Sequence, residues 1–418
     1  CHEAGAVIHP GGMLVASPTK TKQRRRLKPR NQSRGQVDTP FLLLTILLVI
    51  IGLIMLLSAS YPTAWYDVQN RTGHDPFHYF TRQAIYAVLG FCVLYLVSRL
   101  NYSGLAGLAI PIFLLACVLM LAVKVPGLGY TSGGATRWLK YPVQWQPSEV
   151  GKIALIIYFS SRLAKRDERT PLEFNRRSPL GRFGNFLERI GFFELIPYGL
   201  VIAIMVGLLY LEPHMSATIQ MVVIAAAILF AGGIGVGWFA AGGALVGGAL
   251  TVIILGTDYM TSRLTVWRDP ASDPQGKGLQ PLQSLLAIGS GGLFGVGLGQ
   301  GRQKFLYLPE PQNDFIFAIV CEELGLVGAG LILFLFALLI IRGYWLALHA
   351  KDRFGSLMIV GIMTLFAFQV FANVAVVTNL FPVTGISMPF FSAGGTALVI
   401  QLAEMGLVLA ISRQNPVT

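Results

Sequence analysis

Long apolar runs alternate with polar connections along almost the whole chain. Ten runs can be delimited, most of them 15 to 22 residues long: 41–60, 83–98, 105–123, 149–163, 195–211, 215–233, 235–256, 314–341, 356–380 and 396–412. An α-helix needs about 20 mainly apolar residues to cross the roughly 30 Å hydrocarbon core of a bilayer. The pattern therefore predicts an all-α fold, a polytopic membrane bundle of ten transmembrane helices.

The composition agrees with this class of fold. The 418 residues are 54% hydrophobic and 12% charged, whereas soluble domains carry about 25% charged residues. One membrane domain over residues 41–412 accounts for all ten runs, and residues 413–418 form a short cytoplasmic C-terminal tail. We find no cleavable signal peptide before residue 40, and Met13 is an alternative start to Cys1.

The net charge of +12 is unevenly distributed. Residues 20–34 hold eight Lys or Arg and no acid, and two further basic segments, 162–189 and 342–353, join runs four to five and eight to nine. Basic residues concentrate in cytoplasmic connections, so both termini are expected in the cytoplasm. We predict that residues 1–40 are a disordered basic tail that contacts membrane lipids. Nucleic-acid binding is not expected, because no folded basic module accompanies the tail.

This topology places a large extracytoplasmic loop, residues 256–313, between helices seven and eight. Its apolar stretch 282–299 is too short to cross a bilayer. We expect this stretch to be re-entrant or interfacial, since irregular backbone is tolerated where it packs on protein or lines a cavity.

Acidic residues cluster where this loop meets the eighth run. Asp314 lies at the mouth of the run, and Glu310 shortly precedes it. Carboxylates at membrane depth are costly and usually mark function. Burial would raise the pKa of Asp314, whereas a helix N-terminus would lower it. Asp314 is a candidate general base, and the alternative is that it only caps the eighth helix.

Other candidate site residues lie near the same membrane face. Glu149 and Lys152 have i, i+3 spacing and share a helix face, either as a structural ion pair or with a cation ready for an anionic substrate. Arg137, beside Trp138, has the chemistry to grip phosphate oxygens, or it anchors the chain at the interface. Glu212 and His214 occupy the short turn between runs five and six.

Three further acids lie deeper in the spans. Glu322 and Glu323 are adjacent and point about 100° apart, so we expect one of them to hydrogen-bond within the bundle and assign both to support of the site. Glu404 is assigned a structural role. The chain has no HxxxH or HExxH pattern, so no protein-borne metal site is predicted.

Four long motifs then resemble the SEDS family, the bacterial shape, elongation, division and sporulation proteins that include RodA, FtsW and SpoVE. The motifs are RWLKYPVQWQPSEVGK at 137–152, DPASDPQGKGLQPLQSLLAIGSGGLFGVGLG at 269–299, LPEPQNDFIFAIVCEELG at 308–325 and PVTGISMPFFSAGGTAL at 382–398. The likeness covers about residues 41–412.

The resemblance implies a multi-pass peptidoglycan glycosyltransferase of the bacterial cytoplasmic membrane. Such an enzyme polymerises lipid II, a disaccharide-pentapeptide on undecaprenyl pyrophosphate, at the extracytoplasmic face. It implies that Asp314 is the catalytic carboxylate and that Arg137, Glu149 and Lys152 bind substrate; we add Glu310 and His214 to this group. It also implies a class B penicillin-binding protein, a transpeptidase, as partner. A divalent cation, Mg²⁺ or Mn²⁺, could assist, but the sequence does not place one.

One departure from the family pattern matters. Many members have an Asp in the QPDxGT turn, where this chain reads EPHMSAT, so Glu212 or His214 would have to replace it. The basic tail and the segment DPFHYFTRQ at 75–83 resemble the division and sporulation branch more than the elongation branch of RodA. Two other functions are weighed: a lipid II flippase, which would need polar lining across the whole bilayer, and a non-catalytic scaffold that recruits an enzyme.

Overall fold

The computed structural model describes residues 35–66, 72–132, 135–141, 143–166, 178–256 and 265–414. Most of the predicted basic tail lies outside these residues. The first helix begins at Thr39, two residues before the predicted apolar run. The Gly35 N–H donates to the Arg413 carbonyl, and the Asp38 carboxylate caps the helix by accepting from the Phe41 N–H. Such an N-cap satisfies a backbone donor that a helix start leaves unpaired.

Helices dominate the described part of the chain, which also contains one two-stranded antiparallel sheet. In chain order the elements are α1 Thr39–Trp65, α2 His78–Ser98, α3 Ala109–Ala122, β1 Gly129–Ser132, β2 Ala135–Leu139, α4 Pro147–Ala164, α5 Pro179–Arg189, α6 Phe192–Leu211, α7 Met215–Ala231, α8 Val236–Gly256, α9 Leu279–Gly291, α10 Ile316–Leu348, α11 Arg353–Val377 and α12 Gly395–Ser412. Short 3₁₀ turns occur at Tyr102–Ala106 and Pro270–Ser272.

Each of the ten apolar runs overlaps one α-helix, and several of these helices extend beyond the run. Among the described residues, six helices are long and apolar enough to cross a membrane, namely α1, α2, α6, α10, α11 and α12, while α3 and α7 are shorter apolar helices. The prediction of a polytopic helical membrane bundle is thus confirmed. The number of crossings, ten, stays a prediction.

The eighth helix continues beyond its predicted end at residue 341, since α10 ends at Leu348. The basic segment that we expected to begin a connection at Arg342 is still helical there. The Arg342 guanidinium pairs with the Asp38 carboxylate at 2.6 Å and lies 4.1 Å from the Trp345 ring centroid. These contacts satisfy the charge of Arg342 without leaving the helix.

The core of the bundle is centred on α11. Of the 18 most apolar consecutive residues of α11, 67% are buried. The corresponding share in α2 is 22%, so α2 faces outward. α11 packs on α4, α7 and α10. Aromatic rings fill the space beside it, where Phe366 lies 5.3 Å and Phe336 lies 6.4 Å from Phe390, between ring centroids. A helix that is apolar all round is expected in such an interior position.

A break at Gly325 divides α10 into two helical parts. Gly325 has φ 66° and ψ −172°, a conformation that favours glycine because it has no Cβ. The chain just after α9 enters the break: the N–H groups of Val296 and Gly297 donate to the carbonyls of Glu322 and Glu323. On the other side of the break, the Leu326 N–H donates to the Gly292 carbonyl. Backbone groups freed by the break are therefore paired, as buried backbone must be.

The stretch 282–299, which we expected to be re-entrant or interfacial, thus contains the short helix α9 and the chain that enters this break. At 13 residues, α9 is too short to cross a bilayer. It packs on α10 and α11. The stretch is therefore held by protein contacts, which is the setting in which irregular backbone is tolerated at membrane depth.

The sequence predicts that one of Glu322 and Glu323 forms a hydrogen bond within the bundle. In the structure both do, and both contact the same loop, residues 299–304. Glu322 accepts hydrogen bonds from the N–H groups of Arg302 and Gln303. Glu323 pairs with the Lys304 ammonium at 2.7 Å and accepts from the Ser58 hydroxyl of α1 and the Gly299 N–H. The two carboxylates converge because residues 299–304 wrap around the break beside them.

We expect loss of either partner of the Lys304–Glu323 pair to destabilise the protein. Their side chains are 4% and 0% exposed, and removing one partner of a buried pair costs about 3–5 kcal/mol because the other charge stays buried. Lys304→Met and Glu323→Gln should each lower the free energy of unfolding in detergent. The double variant should lose less than the sum of the two. Lys140→Met, which removes an exposed cation, is the control, and strictly additive losses would contradict a direct pair.

Candidate functional site

Asp314 lies in the loop just before α10 and is half-buried. The N-cap position of α10 belongs to Phe315 and has no side-chain hydrogen bond, so Asp314 does not cap the helix, contrary to the alternative raised by the sequence. Its backbone is held from α11, where the Asn373 amide donates to the Asp314 carbonyl at 2.7 Å and to the Ile386 carbonyl at 2.8 Å. Asn373 thereby joins two loops that precede α10 and α12.

Gly385, in the segment between α11 and α12, lies against the Asp314 carboxylate. Gly385 has φ +74°, and a Cβ there would lie 3.3 Å from Asp314 Oδ2 and 3.9 Å from Ser216 Oγ. The Ser216 hydroxyl, in the first turn of α7, donates to the Thr384 carbonyl. Three segments therefore meet around the carboxylate: the mouth of α10, the turn at Gly385 and the start of α7.

The pKa of Asp314 is raised to about 6, first by burial and then by the negative charge of Glu310. Of the two opposing effects considered from the sequence, burial is the stronger one, because the helix begins only at Ile316. Glu310 itself is exposed and accepts a hydrogen bond from the Asn313 amide at 3.0 Å. Asp314 is thus ionised at neutral pH yet able to accept a proton slightly below it.

Glu149 and Lys152 form the ion pair that their spacing predicts, with Nζ and Oε2 2.8 Å apart. Lys152 is 1% exposed, and its ammonium also donates to Gln220 Oε1 of α7 at 2.8 Å. The Gln369 amide of α11 lies 3.5 Å from the same oxygen. Glu404 of α12 is also buried and lies close enough to interact electrostatically with both members of the pair.

The β-hairpin brings Arg137 to the turn between α6 and α7. A guanidinium nitrogen of Arg137 donates to the Pro213 carbonyl at 2.6 Å. The next residue, His214, lies 3.1 Å from the Gln146 amide nitrogen and 3.5 Å from the Ser148 hydroxyl. Burial and then the positive charge of Arg137 lower the pKa of His214 to about 3. His214 is therefore neutral at pH 7 and adds no positive charge to the site.

Glu212 occupies the same turn and is 1% exposed. Neither carboxylate oxygen has a hydrogen-bond partner within the described residues. Burial raises the pKa of Glu212 to about 7, partly offset by the positive charges of Lys124 and Arg137. Its burial agrees with the supporting role that we predict for Glu212, rather than with direct contact to a substrate.

Glu322 and Glu323 lie about two helical turns further along α10 than Asp314. Their contacts are with the 299–304 loop, so they are grouped apart from Asp314. The predicted residues Arg137, Glu149, Lys152 and His214 instead surround the start of α7, as Asp314 does. Sequence reasoning missed four residues that connect them: Ser216, Gln220, Asn373 and Gly385. A single Asn or Gln within an apolar run is the sequence signal from which Gln220 and Asn373 could have been predicted.

The site contains carboxylates, two cations and amides but no convergent ligand set for a metal. Within the part of the chain that the structure describes, no group of three or more His, Cys, Asp or Glu side chains is close enough to hold an ion. The arrangement can accept a proton at Asp314 and offer positive charge at Arg137 and Lys152.

Comparison with known proteins gives a consistent family. The family model FTSW_RODA_SPOVE, described as "Cell cycle protein", matches residues 38–416. The "Probable peptidoglycan glycosyltransferase FtsW" of Geobacter sp. (strain M18) is 36% identical over 376 residues, which is 90% of this chain and 96% of that protein. The "Stage V sporulation protein E" of Bacillus subtilis (strain 168) is 36% identical over 379 residues, 90% of this chain and 97% of that protein.

Solved structures agree. A chain from "Structural coordination of polymerization and crosslinking by a peptidoglycan synthase complex" superposes with a TM-score of 0.69 at 27% identity, covering 91% of this chain and 99% of that one. The rod shape determining protein RodA of Thermus thermophilus superposes with a TM-score of 0.61 at 26% identity, covering 91% and 98%. By the family match over 38–416 and these relatives, the chain belongs to the FtsW/RodA/SpoVE family of cell cycle proteins.

Proposed function

We propose that this protein is a peptidoglycan glycosyltransferase that polymerises lipid II into glycan strands. The observation that carries the proposal is the half-buried carboxylate of Asp314, placed against the Gly385 turn and the start of α7. The names of the relatives support the class of reaction, since one is called a probable peptidoglycan glycosyltransferase.

Asp314 acts as the general base in this proposal. A sugar hydroxyl of lipid II attacks the anomeric carbon of the growing strand, and Asp314 takes the hydroxyl proton as the new carbon–oxygen bond forms. The bond from that carbon to pyrophosphate breaks, and the lipid pyrophosphate leaves with the bonding electrons. Attack opposite the leaving group inverts the configuration at the carbon. A pKa of about 6 suits this role, because the carboxylate is ionised at pH 7.

Positive charge for the pyrophosphate comes from Arg137 and Lys152. The start of α7 adds to it, since its N-cap residue His214 makes no side-chain cap and leaves backbone N–H groups available. Cations and oriented N–H groups are most effective where charge develops on a leaving group. Glu149 and Glu310 border this region and are assigned to substrate positioning. A Mg²⁺ or Mn²⁺ ion would have to be held largely by the pyrophosphate, and no step here depends on it.

The wider setting is also part of the proposal. Ten crossings with both termini in the cytoplasm put Asp314 at the extracytoplasmic face of the bacterial cytoplasmic membrane, where lipid II is presented. The relatives named for FtsW and for stage V sporulation favour a division or sporulation role over elongation. A class B penicillin-binding protein is the proposed partner, in line with a structural neighbour from a peptidoglycan synthase complex.

Replacing Asp314 by Ala or Asn should lower the rate of lipid II polymerisation by the purified protein at least about 100-fold, because the general base is lost. Products are measured with and without the cognate transpeptidase. Asp75→Asn, which changes an exposed loop carboxylate, should leave the rate unchanged. Polymerisation retained by Asp314→Ala would refute the assignment. Movement of lipid II across protein-only vesicles without polymer formation would identify a flippase instead.

The rate of polymerisation should depend on pH through Asp314. Its pKa is raised to about 6, so the carboxylate becomes protonated as the pH falls through 6 and the rate should decline below that value. Glu310→Gln removes a charge that raises this pKa and should move the midpoint to lower pH. Asp269→Asn, another exposed loop carboxylate, should not move it. A midpoint that shifts equally in both variants would show that Glu310 does not act on Asp314.

Gly385→Ala should lower the rate of polymerisation by about 10- to 100-fold. The added Cβ would lie 3.3 Å from Asp314 Oδ2, and small displacements of a catalytic group carry losses of this size. Gly73→Ala is the matched control, because Gly73 also has positive φ, +62°, but a Cβ there meets no atom within 4 Å. Equal loss of activity in the two variants would mean that backbone strain alone, and not displacement of Asp314, is responsible.

A further inference from the structure

A cavity lies at the end of α4 opposite the Glu149–Lys152 pair. It has a volume of about 370 Å³ and is lined by residues from α3, α4 and α6 and from the turn before α3. α4 has 18 residues, so this cavity is about 25 Å from the start of that helix. It therefore has no part in the proposed chemistry at Asp314.

Three cations on the last turn of α4 and just beyond line the cavity: Arg162, Lys165 and Arg166. Arg166 is already engaged, because its guanidinium pairs with Glu194 and donates to the Gly232 and Gly233 carbonyls. The side chains of Arg162 and Lys165 are exposed and make no hydrogen bond or ion pair with another described residue. Since Arg166 pairs with Glu194, Arg162 and Lys165 have no counterion among the residues that the structure describes.

The start of α3 adds to this positive character. α3 begins at Ala109 in the cavity wall, and its N-cap residue, Leu108, provides no side-chain hydrogen bond. The backbone N–H groups of Ala109 and Ile110, at the start of this 14-residue helix, therefore lie in the wall that the two cations also line. Helix N-termini and guanidinium groups both favour phosphate oxygens.

Two stripes of exposed aliphatic side chains run from the cavity along neighbouring helices. They recur every four residues, which keeps each stripe on one helical face. The members are Ile110, Leu114 and Val118 on α3 and Ile196, Leu200 and Ile204 on α6, each between 39% and 61% exposed. α3 and α6 pack on each other, so the two stripes border one apolar strip that begins at the cations.

We propose that this cavity binds the headgroup phosphate of an anionic phospholipid whose acyl chains lie along the two stripes. Arg162 and Lys165 contact the phosphate, and the aliphatic side chains contact the chains. Basic pockets between membrane helices have the chemistry to recognise such headgroups. A free phosphate ion would satisfy the cations but would leave the apolar stripes uncovered, so the lipid matches both features. By bridging α3, α4 and α6, the bound lipid stabilises this end of the bundle.

The test measures the melting temperature of the purified, delipidated full chain in detergent as phosphatidylglycerol is added. Wild type should be stabilised in a saturable way. The double variant Arg162→Ala/Lys165→Ala should require about 30-fold more lipid, roughly fivefold for each cation lost. Arg182→Ala/Arg189→Ala removes two exposed cations of α5 outside the cavity lining and should behave as wild type.

Two further probes separate a lipid from its parts. Phosphatidylcholine, which has a phosphate but no net charge, should stabilise wild type less than phosphatidylglycerol does, and inorganic phosphate should stabilise it little at equal concentration. Equal losses in the two double variants would overturn the proposal in favour of unspecific charge attraction. An equal effect of inorganic phosphate, or of phosphatidylcholine, would overturn the assignment to an anionic lipid. No arm of the test depends on polymerisation, so it stands apart from the role of Asp314.

Discussion

The fold depends on how two adjacent carboxylates inside a long apolar helix are neutralised. Glu322 and Glu323 would be very costly in an apolar setting if they stayed ionised and unpaired. The loop 299–304 supplies the compensation, with backbone N–H groups for Glu322 and the Lys304 ammonium for Glu323. The loop fits beside the two carboxylates because α10 is broken at Gly325. At this break, backbone N–H groups of the chain after α9 replace the missing helical hydrogen bonds. The first part of α10, and with it Asp314, is thereby fixed relative to α1 and α9.

The polar residues of the site do not continue through the bundle. Lys152, Gln220 and Gln369 link α4, α7 and α11 near one end. Further along, the facing positions of the same three helices are apolar and buried: Ile156, Phe159, Ile224, Ile228, Ile362 and Met358. A conduit for a charged headgroup needs polar lining along its length, because desolvated charge is costly. In this conformation these positions form no polar path between the described parts of the three helices, which favours chemistry at a membrane surface over transport.

Much of the fold could be predicted from the apolar runs, because each run is long enough to specify a helix by itself. The break at Gly325 could not, since VCEELGLVGAG reads as one continuous helical pattern and the break is stabilised by a loop about 30 residues upstream. The site divides in the same way. Asp314 and the Glu149–Lys152 pair could be found as charges beside apolar runs. Gly385 and Asn373 could not, because their importance arises from contacts across distant segments. The catalytic roles themselves stay predictions.

The two cations of the site, Lys152 and Arg137, differ in their burial and in the contacts that they already make. Lys152 is 1% exposed and already contacts Glu149 and Gln220, so its charge is largely compensated where it lies. It can act on a substrate mainly through Glu149, whose side chain is 16% exposed. Arg137 is half-buried at the edge of the hairpin, where one guanidinium nitrogen is used by the Pro213 carbonyl. A guanidinium has five N–H donors in a fixed plane, so this contact orients the group. Because His214 is neutral at pH 7, the proposed mechanism assigns direct contact with the pyrophosphate chiefly to Arg137, and it assigns to Lys152 the positioning of Glu149 and the start of α7.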